Sequence, residues 1–462
     1  MLPQPFEVIW QPWRGDYEAM VERRMIRVVM PYGGYQFYYH NGRPRGATYE
    51  LVRRFESFVN DELSRKHIRV HVVIIPVSRD QLIPAILSGN ADLIAADLTI
   101  TAARNRVLDF SRPTLQNINE IVVTGPAAPE LNEISDLAGT EIFVRRSGSY
   151  YEHLNKLSNE FRKQGLAPPI VQPANEILEA EDIMEMLDGG MIGISVMDDY
   201  KATFWASVFP EVSARKDLVV NEGGSIAWAM RKNSPELKAV VNRFHTEYGQ
   251  GTLVGNDTFN RHMANANRIR CGTSSASYAE IADLAAIFQR YGSDYDFDWL
   301  MLAAQGLQES GLRQNRRSPA GAVGIMQIKP STAADRNVGI DDISTAENNV
   351  HAGTKYMRFI VDRYFSSEEI DGLNQWFFAL AAYNAGPARV AQMRREAGQK
   401  GYDPNLWFDN VEIIAAQRIG RETVTYVSNI LKYYVGYQLV ASRSAVREEQ
   451  FGDILTGCSA PQ

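Results

Sequence analysis

Cysteine is scarce in this chain of 462 residues, which contains two, Cys271 and Cys458. They are far apart and form no CxxC or zinc-type pattern, which argues against a metal site built on thiolates. Two unpaired thiols are the favoured interpretation, and one disulfide that ties both ends of the second half of the chain is the alternative. Histidine is also sparse. His67 and His71 are four residues apart, but they lie in a strand-like, β-branched segment, so neither a metal nor another cofactor is expected.

Long apolar runs are missing as well. The longest candidates, such as residues 72–77, have the length of a strand and fall well short of the roughly 18 residues that a membrane-spanning helix needs. The first twenty residues lack the basic, apolar and small-residue regions of a secretion signal. Two alternatives follow: a cytoplasmic protein, or a chain from which a signal has been removed.

Positive charge is not in excess. Lys and Arg total 48 against 55 for Asp and Glu, which gives a net charge of −7, and acidic residues outnumber basic ones on both sides of Arg270. Nucleic acid is therefore not expected as the main partner. What is present is a balanced composition, 45% apolar and 22% charged, that is typical of a folded protein of two or three domains.

The first half of the chain alternates strand-like and helical patterns. The β-branched runs at 25–32, 68–77 and 91–100 are separated by helical segments, and a second set of this kind follows from Gly139. The alternation predicts parallel sheet covered by helices, arranged as two α/β lobes. We expect the chain to leave the first lobe near Leu115 and to return near Gly223, with a ligand cleft between the lobes.

Beyond about Asn267 the pattern changes. A small, polar, linker-like stretch is followed by segments that nearly all carry apolar residues at helical spacing, which predicts a compact all-α domain. The expected divisions are an N-terminal extension (1–24), an α/β domain (25–262, with lobes 25–115 plus 223–262 and 116–222), a linker (263–277), a helical domain (278–440) and a tail (441–462).

Glu309 is the candidate for acid catalysis. It lies near the end of a helical segment, at the edge of an apolar stripe that includes Leu302 and Leu307, and Gly311 is expected to end that helix. Apolar neighbours and the negative end of the helix dipole both raise the pKa of a carboxyl group, which suits a general acid at neutral pH. A lone glutamate in this position is nevertheless more often an ordinary exposed residue.

Four motifs on successive helical units favour the catalytic interpretation of Glu309 over that of an ordinary exposed residue. They are Glu309-Ser310, Gly324-Ile325-Met326-Gln327, Ala382-Tyr383-Asn384, and Glu422-Thr423 with Tyr426-Val427. In this order and at these separations the set resembles the SLT-type lytic transglycosylases, relatives of goose-type lysozyme. The resemblance implies a lysozyme-like helical domain that cleaves the β-1,4 bond between N-acetylmuramic acid and N-acetylglucosamine in peptidoglycan.

The resemblance also implies how a single carboxyl group performs the reaction. Most glycosidases use two carboxylates, about 5–5.5 Å or about 6.5–9.5 Å apart, whereas the motifs here offer Glu309 alone. In the transglycosylase mechanism Glu309 protonates the leaving oxygen and then takes the proton of the muramic C6 hydroxyl as that group attacks C1. The product is a 1,6-anhydro end, and attack from within the same sugar is entropically favoured. The alternatives are a hydrolytic muramidase and a non-catalytic binding or sensor protein of the envelope.

Seven further residues are implied to line the substrate site. Ser318 matches a hydroxyl that contacts the N-acetyl region of the substrate, and Tyr426 would hold the rotamer of Glu309. Met326 offers either an apolar wall for the sugar or an ordinary core residue. The full expected set is Ser310, Ser318, Met326, Gln327, Tyr383, Asn384 and Tyr426.

The first half resembles the amino-acid-binding type of extracellular solute-binding proteins, which implies a periplasmic-binding-protein-like fold. The likeness rests on PYGGYQFYYHNGRPRGATYEL, DQLIPAILSGNADLIAADLTITAARNRVLDFSRP and VRRSGSYYEHL. It implies that Arg104 grips a ligand carboxylate and that Asp198 receives the ligand's amino group. A domain that has lost binding is the alternative. The expected ligand-binding set is Tyr35, Phe37, Asp97, Thr99, Arg104, Ser149, Tyr150 and Asp198.

A solute-binding module directly ahead of an SLT domain resembles one family of membrane-bound lytic transglycosylases, so the resemblance covers nearly the whole chain. It implies a location in the periplasm or at the periphery of the outer membrane, and hence a removed signal. The expected partners are peptidoglycan strands and a peptide or amino-acid ligand, with cell-wall fragments among the candidates, that modulates the lytic domain.

Overall fold

The structure is a computed structural model, which describes residues 11–33, 35–40, 43–65, 68–176, 178–249, 275–420 and 422–431, with isolated positions at 252, 255, 257, 258, 261, 433, 434 and 437. Cys271, Cys458, His67 and the expected tail lie outside the described residues. Over the part that is described, no helix combines the length and the apolar character that crossing a bilayer requires.

The first half is an α/β structure, as the alternating pattern predicts. Its elements in chain order are α1 (Tyr17–Glu22), β1 (Met25–Pro31), β2 (Tyr38–His40), β3 (Arg43–Arg45), α2 (Ala47–Glu62), β4 (His71–Val77), α3 (Arg79–Ser88), β5 (Leu93–Thr99), α4 (Ala102–Val107), β6 (Leu108–Phe110), β7 (Leu115–Thr124), a 3₁₀ turn (Ile134–Leu137), β8 (Glu141–Arg145), α5 (Ser149–Lys163), β9 (Ile170–Ala174), α6 (Ala180–Asp188), β10 (Ile194–Asp198), α7 (Asp199–Ala206), β11 (Ser213–Arg231) and α8 (Pro235–Tyr248).

Two long strands connect the lobes. The main sheet has the order β10-β7-β11-β5-β1-β4, with β6 added beside β11. In the first lobe β1 pairs in parallel with β4 and β5, whereas β11 runs antiparallel to β5, β6 and β7. β7 begins at Leu115 and β11 passes through Gly223, the two positions at which the sequence predicts the crossings. The parallel sheet that the alternation predicts is present in β1, β4 and β5, and the antiparallel pairs made by β7 and β11 add to it.

The described part of the N-terminal extension packs onto the first lobe. The carboxylate of Asp16 accepts the backbone N–H of Tyr17 (2.8 Å) at the start of α1 and that of Leu237 (3.0 Å) in the first turn of α8. Arg27, which is fully buried in β1, donates to the carbonyl of Gln11 over 2.9 Å. Residues 11–24 are therefore part of the α/β domain, because these bonds tie them to its sheet and helices.

The second half is helical, as predicted. Its elements are α9 (Ser275–Asp294), α10 (Trp299–Ser310), α11 (Pro330–Ala333), α12 (Ala346–Ile360) running into a π-turn (Val361–Phe365), α13 (Gly372–Ala385), α14 (Pro387–Gln399), a π-turn (Trp407–Val411) running into α15 (Glu412–Ile419), and a helix over 422–431, here α16. α9 begins inside the expected linker. α13 is apolar on nearly every face, with Phe377, Phe378 and Leu380 all buried, because it runs through the middle of the domain.

Candidate active site

Glu309 lies in the last turn of α10 and is largely buried. Burial raises the pKa of its carboxyl group to about 7, and a hydrogen bond from Tyr426 acts in the opposite direction. That bond joins the Tyr426 hydroxyl to Oε1 of Glu309 over 2.5 Å. A carboxyl with a pKa near neutrality is in part protonated at physiological pH, which is the state that a general acid requires.

Within the described parts of the chain, Glu309 is a solitary candidate acid. Among the described residues, burial and Tyr426 account for the shift in its pKa, and no charged group contributes to it. The described residues also contain no cluster of three or more His, Cys, Asp or Glu side chains placed to hold a metal ion. The site therefore offers one proton donor with hydroxyl and amide neighbours, an arrangement that differs from the paired acids of most glycosidases.

The close contact between α10 and the following loop depends on Gly306. A Cβ atom at this position would lie 2.9 Å from Cγ2 of Ile325, so only glycine lets the loop approach the helix. Ser310 completes the contact, because its hydroxyl donates to the carbonyl of Ile325 (2.9 Å) and accepts from the N–H of Arg313 (3.0 Å). Ser310, expected in the substrate site, is 3% exposed, and its hydroxyl is bonded to the backbone of the loop that follows α10.

Asn349 holds the Gly324–Gln327 segment in place. Its side chain is fully buried and accepts the backbone N–H of Met326 (2.8 Å) while donating to the carbonyl of Val323 (2.9 Å). A Cβ at Gly324 would come within 2.3 Å of this amide, which explains the glycine. No motif in the sequence marks Asn349. Its place in the first turn of a helix with polar neighbours is typical of an exposed residue, so sequence analysis missed it.

Two expected substrate residues bond to their own loop. Ser318 accepts the N–H of Ala322 through its hydroxyl over 3.0 Å. Gln327 has a positive φ of 45°, and its side-chain amide donates to the carbonyls of Gly324 (2.9 Å) and Arg316 (3.2 Å). Both side chains shape the loop between Glu309 and α11, and their contact with substrate stays a prediction.

The remaining motif residues lie on α13 and α16, and of these Tyr383 and Tyr426 interact with Glu309. The Tyr383 hydroxyl donates to the backbone carbonyl of Met326 (2.8 Å), and Thr423 donates to the side-chain carbonyl of Asn384, which is itself exposed (2.6 Å). Met326 is 0% exposed. This burial favours a role for Met326 as a core residue over a role as an apolar wall for the sugar.

Arg104 bridges the two lobes of the first domain. Its guanidinium donates to the carbonyl of Thr99 in its own lobe (3.0 Å) and to that of Ser147 in the other lobe (2.8 Å). It also lies 3.3 Å from the carboxylate of Glu152. Ser149 adds a second contact between the lobes, because its hydroxyl donates to that of Thr99 over 3.1 Å. The group expected to grip a ligand carboxylate is thus engaged by the chain itself.

Lys201 stands between the two acids of the cleft. Its ammonium group lies 2.8 Å from Asp198 and 3.5 Å from Asp97. Asp97 also accepts hydrogen bonds from Tyr35 and, over 2.9 Å, from Tyr200. Burial acts to raise the pKa of Asp97, but Lys201 and these hydroxyls together hold it below its usual value. Sequence analysis missed Lys201, although its position three residues after Asp198 at the start of a helix is a usable signal.

Tyr150 and Phe37, two aromatic residues of the expected ligand-binding set, lie in different surroundings. Tyr150 lies at the lobe boundary, where its hydroxyl accepts the backbone N–H of Asp198 over 3.1 Å. Within the expected ligand-binding set, Tyr35 and Phe37 are the plausible stacking residues at the mouth of the cleft, between which spacing alone does not choose, and for Phe37 this prediction is wrong. Phe37 is 2% exposed and packs in the core of the first lobe, stacked on Tyr49 (5.6 Å between ring centroids) and edge-on to Tyr32 (5.7 Å), because burial of its ring against these neighbours removes more apolar surface from water.

Two family models match separate parts of the chain. Residues 26–253 match the bacterial extracellular solute-binding proteins, family 3, and residues 286–406 match the transglycosylase SLT domain. Two solved structures are similar to the first domain. One is the amino acid ABC transporter substrate-binding protein AbpA from Streptococcus pneumoniae bound to L-arginine (17% identity, TM-score 0.44, 54% of this chain and 98% of that chain). The other is the ancestral amino acid-binding protein AncCDT-1 (19% identity, TM-score 0.41, 53% of this chain and 98% of that chain).

The chain thus joins a family 3 solute-binding domain to a transglycosylase SLT domain, in that order. Along most of its length it resembles membrane-bound lytic murein transglycosylase F. The protein of that name from Shewanella woodyi is 29% identical over 448 residues, which cover 93% of this chain and 88% of that one. The protein of that name from Desulfosudis oleivorans is 26% identical over 86% of each chain.

Proposed function

We propose that the chain is a lytic transglycosylase that cleaves the MurNAc-β-1,4-GlcNAc bond of peptidoglycan and leaves 1,6-anhydro-MurNAc ends. The observation that carries the proposal is the largely buried Glu309, whose pKa is raised to about 7 with no contribution from a charged group among the described residues and whose carboxyl is held by Tyr426. The SLT match over residues 286–406 and the names of the relatives support the same reaction.

The reaction needs one group that is first an acid and then a base. The protonated Glu309 donates its proton to the glycosidic oxygen, and the bond from C1 of the muramic acid to that oxygen breaks. The C6 hydroxyl of the same sugar then attacks C1 and gives its proton to the Glu309 carboxylate, which restores the acid. The Tyr426 hydroxyl donates to the carboxylate throughout, so it lowers the free energy of the form in which Glu309 is charged.

Ligand control is part of the proposal. The two lobes of the solute-binding domain are held together by polar contacts across the cleft, at Arg104 with Ser147 and at Arg79 with Glu179 (2.9 Å). A peptide or amino-acid ligand, with cell-wall fragments among the candidates, would exchange some of these contacts for its own. Such a ligand changes turnover only if it binds two arrangements of the chain with different affinity.

We further propose the cellular setting and the extent of each domain. The relatives are named membrane-bound, and peptidoglycan lies in the envelope, which supports a position in the periplasm, peripheral to the outer membrane. The domain limits are those expected from sequence, 25–262 for the solute-binding domain and 278–440 for the lytic domain, except that residues 11–24, which bond to the first lobe, are counted with the solute-binding domain.

Digestion of purified sacculi tests the reaction. The products are separated and weighed, because an anhydro end is lighter than a hydrolysed end by one water. We expect anhydro ends from the full chain and a loss of rate of at least about 100-fold in Glu309→Gln. The matched control is Glu347→Gln, which makes the same change at an exposed carboxylate of the same domain. Reducing ends, or an unchanged rate in Glu309→Gln, would contradict the proposal.

The pH profile is a second test of the same acid. Because Glu309 must start the cycle with its proton, the rate is expected to fall as the pH rises through about 7, the pKa that burial gives this carboxyl. A rate that stays constant from pH 6 to pH 9 would exclude Glu309 as the general acid.

A further inference from the structure

Lys201 occupies the position beside Asp198 that the sequence assigns to the amino group of a ligand. Its Nζ lies 2.8 Å from Oδ2 of Asp198 and 3.5 Å from Oδ2 of Asp97, and all three side chains are largely buried. Oδ2 of Asp97 also accepts the hydroxyl groups of Tyr35 and Tyr200. Burial acts to raise the pKa of Asp97, but Lys201 and these hydroxyls keep it below its usual value. The carboxylate of Asp97 therefore stays charged without a cation from a ligand.

The second carboxylate oxygen of Asp198 has a different environment. This oxygen, Oδ1, is buried, and the residues that the structure describes offer it no hydrogen-bond donor. Lys201 contacts the other oxygen, Oδ2. A buried carboxylate oxygen without a donor costs free energy, so a ligand that brings one donor group to Oδ1 gains a favourable contact there.

A neutral N–H group suits this oxygen better than an ammonium group does. An ammonium carries three N–H donors, whereas Oδ1 of Asp198 is one acceptor. The positive charge of a ligand would also lie close to Nζ of Lys201, and like charges in a buried site repel each other more strongly than in water. An amide N–H makes the one hydrogen bond and adds no charge.

Arg104 is a cation that the chain balances only in part. The residue is 6% exposed, and its Nε lies 3.3 Å from the carboxylate of Glu152, whose side chain is 34% exposed. Burial lowers the pKa of Arg104, and Glu152 raises it by less than burial lowers it. A ligand carboxylate can replace the partly exposed Glu152 and pair with the guanidinium group through charge-assisted hydrogen bonds.

The guanidinium group and the two acids lie near one another along β5. Arg104 donates to the carbonyl of Thr99 over 3.0 Å, and Asp97 precedes Thr99 by two residues in that strand. Residues i and i+2 of a strand lie about 7 Å apart on the same face. Lys201 then joins Asp97 to Asp198. One amino-acid residue can therefore reach Arg104 with its carboxylate and Asp198 with its nitrogen.

We propose that Lys201 makes the cleft select a ligand with a carboxylate and an amide N–H, as in the C-terminal residue of a peptide, over a free amino acid. Arg104 pairs with the carboxylate, Oδ1 of Asp198 accepts the amide N–H, and Lys201 excludes a free ammonium group. The inference rests on the proposed ligand control and narrows its ligand to a peptide.

Calorimetric titration of the full chain at neutral pH tests this selection with three probes, each used as the racemate. N-acetylalanine carries the carboxylate and the amide N–H, alanine has an ammonium group in place of the amide, and N-acetylalaninamide lacks the carboxylate. We expect N-acetylalanine to bind at least about tenfold more tightly than either of the others. Equal or tighter binding of alanine or of N-acetylalaninamide, or binding of none of the three, overturns the proposal.

Lys201→Met tests the role of the ammonium group, because it removes the charge and keeps the length of the side chain. In this variant the ammonium group of alanine can lie between Asp97 and Asp198. The preference for N-acetylalanine over alanine is therefore expected to fall at least about tenfold. Lys201→Arg keeps the charge and is the matched control, in which the preference for N-acetylalanine is retained. An unchanged preference in Lys201→Met overturns the role of Lys201.

Glu152→Gln keeps the proposal testable if Lys201→Met does not fold, because the Glu152 side chain is partly exposed. The substitution removes a carboxylate that competes for Arg104, so N-acetylalanine is expected to bind about threefold more tightly or better. Glu160→Gln makes the same change at an exposed position of the same helix, α5, and is expected to leave binding unchanged. Equal affinities in these two variants overturn the place given to the ligand carboxylate. Binding that leaves the turnover of sacculi unchanged overturns instead the proposed ligand control.

Discussion

Arg24 and Glu412 join the solute-binding domain to the helical domain through a two-pronged ion pair. The two guanidinium nitrogens of Arg24 lie 2.9 Å and 3.0 Å from the two carboxylate oxygens of Glu412. Arg24 directly precedes β1, and Glu412 is the first residue of α15. Both are buried, and His71 of β4 comes within 3.6 Å of the same carboxylate. His71 thus contacts a carboxylate of the other domain. Among the described residues it belongs to no group of three or more potential metal ligands.

Removing the charge of Glu412 is expected to destabilise the protein strongly. Glu412→Gln leaves the guanidinium of Arg24 buried without its carboxylate, which typically costs about 3–5 kcal/mol of unfolding free energy. Denaturant titration measures the change. The control is Arg418→Met, whose ion pair with Glu396 is on the surface with the Arg418 side chain 62% exposed, and about 1 kcal/mol or less is expected there. Equal losses of unfolding free energy in the two variants would show that the buried pair contributes no more to stability than the surface pair.

The low pKa of Glu412 predicts that the protein loses stability in acid. Burial acts to raise the pKa of Glu412, but the nearby His71 and the ion pair with Arg24 together lower it to about 2. A carboxyl whose pKa is depressed on folding contributes stability at neutral pH. That contribution is lost as the pH falls from about 4.5, the ordinary value, toward 2. Unfolding curves between pH 2 and pH 6 are expected to show a smaller loss of Tm in Glu412→Gln than in the unaltered chain; parallel curves would contradict this.

Glu309 is expected to have the opposite effect on stability. Its pKa is raised to about 7, so between about pH 4.5 and pH 7 the unfolded chain loses this proton while the folded chain keeps it, and stability falls by up to about 3 kcal/mol. Glu309→Gln removes that cost. Its Tm is expected to exceed that of the unaltered chain at pH 8 and to match it at pH 4. Glu347→Gln is the control, and a Tm difference that is the same at both pH values would contradict the prediction.

Lys201 is expected to hold the cleft of the solute-binding domain together. Lys201→Ala leaves Asp97 and Asp198 buried without their cation, which we expect to cost about 3–5 kcal/mol. A primary alkylamine can enter the space and restore the missing ammonium group, so added butylamine is expected to raise the Tm of this variant alone. Lys216→Ala, at an exposed position, is the control. A Lys201→Ala variant as stable as that control would contradict the prediction.

Much of the architecture follows from local patterns. The alternation from Met25 predicts the strands and helices of the α/β domain, and the 3.6-residue spacing after Asn267 predicts the helices. These signals are local because the burial of each element repeats along the chain with its own period. The pairing of β7 with β11 has no such signal, since antiparallel contacts between positions about 90 to 110 residues apart depend on the whole sheet.

The residues of the candidate site also divide into those that a sequence motif identifies and those that only the tertiary structure reveals. Glu309 could be chosen because its motif partners occur in a recognisable order, and the family model over residues 286–406 agrees with that choice of domain. Asn349 carries no motif, and it draws its importance from the backbone groups that surround it, which sequence spacing alone does not reveal. Lys201 offers only its spacing from Asp198, and its contact with Asp97 appears only in the folded chain.

The order of residues predicts the two domains, their helical and strand segments and the candidate acid, because these depend on periodicity and on short motifs. The tertiary structure determines which polar groups contact each other. It brings Arg24 to Glu412 across 388 positions and Tyr426 to Glu309 across 117, places Lys201 between two acids and buries Phe37 in a core. The physical reason is that desolvation and pairing depend on distance and burial in three dimensions.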